Sequence, residues 1–132
     1  MADNASQELQ KAIRGLLYTS ESDSPFEVVH WARQEPKLTD TDLRSFAGKS
    51  SDAHAEEVGL DEFFHDLTQE QEWHDADDKK TVEQYRNLLA VLNQELKDLK
   101  VFKIGEVKID IYIVGRTATG DWAGIKTEAV ET

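Results

Sequence analysis

The chain predicts an α+β fold, a mainly antiparallel sheet covered by helices. Three stretches carry that expectation. Between Asp78 and Leu99, the residues Val82, Tyr85, Leu89, Leu92, Leu96 and Leu99 recur at spacings of three, four, three, four and three, one apolar stripe of an α-helix. Val107, Ile109, Ile111 and Ile113 then alternate with Lys108, Asp110, Tyr112 and Val114, which is the period-two pattern of a strand. The turn residues Thr119-Gly120-Asp121 lead from it into a second extended run, Trp122 to about Glu128, so a hairpin is expected.

The remaining elements follow in chain order. Asp3 or Asn4 caps a first helix whose apolar stripe is Ala5, Leu9, Ala12, Ile13, Leu16 and Leu17, with Gly15 weakening its end only slightly. Thr19 to Pro25 is a polar connector rich in turn-forming side chains. Phe26 to Trp31 reads as a strand with Phe26, Val28 and His30 on one face and Val29 and Trp31 on the other. A loop holding Pro36 precedes a short helix capped by Thr39, carrying Leu43, Phe46 and Ala47 and ended by Gly48. Residues 49–57 read as a surface loop. Leu60, Phe63, Phe64 and Leu67 form another helical stripe, and Thr68 with Gln71 has capping-box spacing for a short turn holding Trp73. The long helix starts on Asp77 or Asp78, and Lys97 and Lys100 complement its negative end. Val101 to Ile104 is a short strand stopped by Gly105.

Size and composition bound the function. At 132 residues, 39% of them hydrophobic, with three Trp, three Tyr and five Phe, residues 1–132 read as one domain with its own core. The longest purely apolar run, Leu88 to Leu92, is too short to span a bilayer, and the polar start has no signal-peptide core. With no cysteine there is neither disulfide nor thiolate chemistry, and a cytoplasmic location is expected. A net charge of −12 argues against direct binding to nucleic acid or to an anionic membrane, and favours a basic partner. The charge is local: Ser50 to Asp78 holds eleven acidic residues and not one Lys or Arg.

No residue pattern reaches the specificity of a catalytic motif, and the chain reads as a non-enzyme without a cofactor. Glu27-Val28-Val29-His30 and Glu62-Phe63-Phe64-His65 are both Glu-x-x-His, but the di-iron use of that pair needs two helices, and the first lies in a strand pattern. Asp75-Ala76-Asp77-Asp78 resembles a calcium loop only superficially, since Lys80 stands where the sixth-position glycine belongs. There is no Gly-x-Ser-x-Gly elbow and no phosphate-cradling glycine loop. Trp73, set among Glu72, His74 and Asp75, is either a core residue or an exposed anchor for a protein partner, a role in which Trp is enriched.

Four separated segments, in order, carry a resemblance. They are Ser20-Glu21-Ser22-Asp23-Ser24-Pro25-Phe26-Glu27-Val28, the stretch around Glu72-Trp73, Gly105 to Gly115 (GEVKIDIYIVG), and the ending Val130-Glu131-Thr132. Together they resemble the nuclease A inhibitor family, over most of the chain and least between Arg33 and Glu57. The resemblance implies a three-layer α-β-α sandwich with a mainly antiparallel sheet. It also implies binding to a sugar-nonspecific DNA/RNA endonuclease of the ββα-metal type, a basic, magnesium-dependent enzyme, by blocking its active-site groove. By the same resemblance the contact residues are Glu21 and Thr132, approaching the partner's magnesium, and the acidic-Trp pair Glu72 and Trp73; the inhibitor holds no metal of its own. Glu72 stands where the family carries aspartate, which keeps the charge and moves it by about one methylene. The alternative reading is an acidic interaction module of the same fold that binds a different basic protein.

Overall fold

The computed structural model describes residues 4–19, 23–31, 54–69, 75–118 and 120–130. Its frame is a five-stranded sheet, antiparallel throughout, in the spatial order β3-β7-β6-β5-β4. The strands are β3 (Glu27–Trp31), β4 (Ala55–Val58), β5 (Lys97–Ile104), β6 (Lys108–Arg116) and β7 (Trp122–Val130). A separate pair, β1 (Leu17–Thr19) and β2 (Asp23–Pro25), forms a small hairpin. The helices are α1 (Asn4–Ile13), α2 (Leu60–His65), continued by a 3-10 turn over Asp66–Thr68, and α3 (Ala76–Glu95). The fold class is α+β, as the pattern of the sequence predicts.

Alternation on β6 sends Ile109, Ile111 and Ile113 to one face of the sheet, where Val101, Ala123, Ile125 and Ala129 join them. Against this face pack Leu9, Ala12, Ile13 and Leu16 from α1 and its exit, Phe63 and Phe64 from α2, and Tyr85, Leu88 and Leu92 from α3. The opposite face carries its own buried set, Phe102, Ile104, Tyr112, Val114 and Trp122. A sheet apolar and buried on both sides has the character of a middle layer. That is also why the residues that alternate with the β6 isoleucines are buried: Tyr112, Val114 and even Asp110 are at most 9% exposed. Residues 32–53, which hold the expected helix of Leu43, Phe46 and Ala47, join the two edge strands and lie outside the described residues.

Several boundaries differ from the sequence expectation, each for a local reason. The long helix ends at Glu95, not Leu99, because Leu96 is already extended (φ −127°, ψ 150°) and Lys97 pairs with Arg116 on β6. Strand pairing wins over helical propensity there, through an irregularity between Lys97 and Lys100 with Asp98 at φ 55°. The stripe shifts accordingly: Leu88 is fully buried and Leu89 only partly, while Leu96 and Leu99 serve the core from beyond the helix. The helix also starts earlier, on Asp75, whose carboxylate accepts from the Asp78 backbone N–H (2.8 Å), while the Asp78 carboxylate accepts from the Asp75 N–H (3.3 Å). This reciprocal box makes the Asp75–Asp78 run a helix cap.

At the N-terminal end Gly15 does more than weaken α1. At φ 75° it sits in the left-handed region and turns the chain out of the helix, so Leu17 leaves the stripe and begins β1, 46% exposed. The polar connector contains strand β2, and the loop expected over residues 49–57 ends in strand β4. Thr68 closes the turn behind it: its hydroxyl donates to the Phe64 carbonyl at 2.8 Å and the His65 carbonyl at 3.3 Å. Gln71 and Trp73 lie outside the described residues.

Candidate functional site

The four residues singled out by resemblance, Glu21, Glu72, Trp73 and Thr132, all lie outside the described residues, but the stems that carry them are described. Glu21 belongs to the three-residue connection between Thr19 and Asp23, which are cross-strand partners in the β1–β2 hairpin. Glu72 and Trp73 belong to the connection between the 3-10 turn and α3. Thr132 follows Val130, the last residue of β7. The structure shows how these three stems are held together.

The hairpin stem is built on aromatic rings. Tyr18 of β1 stacks on Phe63 of α2, with centroids 5.7 Å apart and ring planes 13° from parallel. Phe26, the hinge between β2 and β3, meets Tyr18 edge-on at 6.3 Å and Tyr85 of α3 edge-on at 6.2 Å. Phe63 and Phe64 complete the cluster at 5.2 Å. Offset and edge-on geometries of this kind let the positive ring edge face the negative ring face, adding specificity to apolar burial. The hairpin that carries residue 21 and the helix that leads toward Glu72 thus share one core.

Two buried hydroxyls add polar ties. Tyr85 donates to the Leu17 carbonyl at 2.9 Å. Burial, reinforced by the neighbouring Tyr18 phenol, pushes Tyr85 well above the ordinary tyrosine range, so it remains a donor across the physiological range. Thr127 of β7 donates to the Pro25 carbonyl at 3.1 Å and lies 3.4 Å from that of Ser24. The third stem is pinned as well, since the Arg86 Nε of α3 donates to the Thr68 carbonyl at 2.8 Å. The connection holding Glu72 and Trp73 therefore runs between two elements already joined to each other.

The Glu-x-x-His motifs point elsewhere. Glu27 pairs in register with Lys126 on one face of the sheet, while His30, on the other, places Nε2 3.1 Å from the Asp121 carboxylate. Among the described residues no group of three or more His, Asp or Glu is gathered to hold a metal ion, and no helix is long and apolar enough to cross a membrane. Sequence reasoning missed Thr127 and the hydroxyl of Tyr85. The signal for Thr127 was present: it is the one polar residue at the inward positions Ala123, Ile125, Thr127 and Ala129. Tyr85 was read only as part of an apolar stripe, and a hydroxyl's partner on a distant strand leaves no mark on periodicity.

Three joined stems thus carry the residues that the resemblance singles out. The family model for NuiA, nuclease A inhibitor-like protein, matches residues 3–132. The chain belongs to that family. No curated protein matches it. Membership in the nuclease A inhibitor-like family suggests a nuclease inhibitor role, with a nuclease as the class of partner that the family's description names. The match extends across the stretch from Arg33 to Glu57, where the resemblance was least legible.

Proposed function

We propose that this chain inhibits a sugar-nonspecific DNA/RNA endonuclease of the ββα-metal type by filling its active-site groove, with Glu21, Glu72, Trp73 and Thr132 as the contact residues. Such a groove is lined with cations and holds a magnesium ion with positions open to a phosphate oxygen. Carboxylates offered there copy the charge of a nucleic-acid backbone and contain no bond to cleave. The observation that carries the reading is family membership over residues 3–132, and the joined stems of the hairpin, the α2–α3 connection and β7 support it. The acidic run from Asp52 to Asp78, in a chain of net charge −12, steers encounter with a basic partner and raises the association rate more than the lifetime of the complex. The chain acts as a stoichiometric binder in the cytoplasm, without a cofactor.

The test is cleavage of DNA by a purified ββα-metal nuclease in the presence of increasing amounts of the chain. Cleavage should stop near one inhibitor per nuclease, and Glu21→Ala should weaken the block while leaving the melting temperature unchanged. Unimpaired cleavage at excess chain would leave the other reading, an acidic module of the same fold bound to a different basic protein.

A further inference from the structure

We propose that Tyr85 and Thr127 are positioning residues that clamp the β1–β2 hairpin, fixing the two strands Leu17–Thr19 and Asp23–Pro25 that flank the connection holding Glu21 before any partner arrives. The proposal rests on the reading that Glu21 contacts the nuclease. A hairpin of only three residue pairs, Leu17↔Pro25, Tyr18↔Ser24 and Thr19↔Asp23, is not stable by itself and must be held from outside. The two hydroxyls hold the same rung of it. Tyr85 bonds the Leu17 carbonyl from α3 and Thr127 bonds the Pro25 carbonyl from β7, and Leu17 and Pro25 are directly opposed.

Neither hydroxyl is needed to fill the core. Thr127 is 2% exposed at an inward position between Ile125 and Ala129, where Val has the same shape and buries no polar atom. Tyr85 is 3% exposed, and its ring already packs on Phe26, as a Phe ring would. A buried hydroxyl is unfavourable unless it is bonded, so its presence at two such sites is accounted for by what it bonds. The backbone explains why a side chain is used. The ladder between β3 and β7 ends at Glu27↔Lys126, and the next residue of β7 is Thr127. Beyond that point the chain departs from the sheet as β2, and the Thr127 hydroxyl continues the connection that backbone pairing gives up. A stem fixed this way has less freedom left to lose on docking.

The test combines amide hydrogen exchange of the free protein with inhibition assays on Tyr85→Phe, Thr127→Val, Thr127→Ser and Glu21→Ala. Tyr85→Phe and Thr127→Val should each speed exchange at Leu17–Ser24 by about tenfold while amides of β6 are unchanged, and should weaken inhibition about tenfold through faster dissociation. Thr127→Ser, which keeps the donor, should restore both. Unchanged exchange in the hairpin, or equal acceleration in β6 showing only a general loss of stability, would overturn the clamp. So would full inhibition by both variants when Glu21→Ala has lost it. Glu21→Ala that inhibits as well as the unmodified chain would instead fail the reading that Glu21 contacts the nuclease, and the exchange data would then decide the clamp alone.

Discussion

Tyr18 lies flat on Phe63, their rings 5.7 Å apart and 13° from parallel, and this stack joins the β1–β2 hairpin to α2 across more than forty positions of sequence. Phe63 is 8% exposed, touches Phe64 edge-on and carries the Lys103 ammonium 5.9 Å above its ring. Phe63→Ala should cost about 3 kcal/mol, since it removes both the apolar burial and the surface on which Tyr18 rests. Urea denaturation measures this; a loss below about 1 kcal/mol would mean that the hairpin is held by its hydroxyl ties and the Phe26 contacts without the Phe63 stack.

The cap of α3 offers a separation of stability from binding. Asp75→Ala removes the acceptor for the Asp78 N–H and breaks the reciprocal box, at a cost of about 1 kcal/mol. For a chain of this length that is a fall of about 3–5 °C in melting temperature. Asp75→Asn, which keeps an acceptor oxygen, should recover most of it in a calorimetric scan.

Gly124 and Gly15 should respond differently to alanine. A Cβ at Gly124 would come within 1.9 Å of the Ile113 carbonyl oxygen, backbone that cannot step aside in a central strand. Gly124→Ala should therefore cost about 3 kcal/mol or more and yield little folded protein on expression. A Cβ at Gly15 would meet nothing within 4 Å, so Gly15→Ala bears only the left-handed backbone (φ 75°), at about 1 kcal/mol. Equal effects of the two changes would contradict the close approach of β6 and β7 at Gly124.

Alkaline pH should destabilise the domain, with Tyr112 contributing beside Tyr85. Burial first, then the carboxylates of Asp110, Glu27 and Glu128, push this phenol from its usual 10 up to about 12. Because the folded state holds the proton more tightly than the unfolded chain, the stability is intact below pH 10 and falls as pH rises from 10 through 12. Ultraviolet titration should place one phenolate at about 12, and Tyr112→Phe should make the melting temperature less sensitive over that interval.

The association of the chain with a basic nuclease should slow steeply with salt while the dissociation rate changes little, because screening shortens the reach of the Asp52–Asp78 charges without altering contacts made after docking. Stopped-flow mixing at two or more ionic strengths reads both rates. Salt-independent association would remove steering from the account.

Periodicity made most of the frame legible. The β6–β7 hairpin, the strand at Glu27–Trp31 and the helical stripe of Leu60, Phe63, Phe64 and Leu67 are where alternation and helical spacing put them, because the side chains that set each pattern pack against the core. Ends and short strands were not legible. The end of α3 at Glu95 is set by the pairing of Lys97 with Arg116, and β2 exists because β1 and β7 lie beside it. Of the candidate site, Glu21, Glu72, Trp73 and Thr132 come from family resemblance and lie outside the described residues; the residues that hold their stems come from the structure.

By itself the sequence determined the α+β class, the acidic character and the family, since these depend on composition and on patterns local to each segment. Only the tertiary structure decided that Leu17 and Pro25, one rung of a short hairpin, are bonded from opposite sides by Tyr85 and Thr127. The reason is distance along the chain. A hydroxyl buried against a carbonyl 68 or 102 residues away answers to the packing of helix and sheet, and no local pattern encodes that.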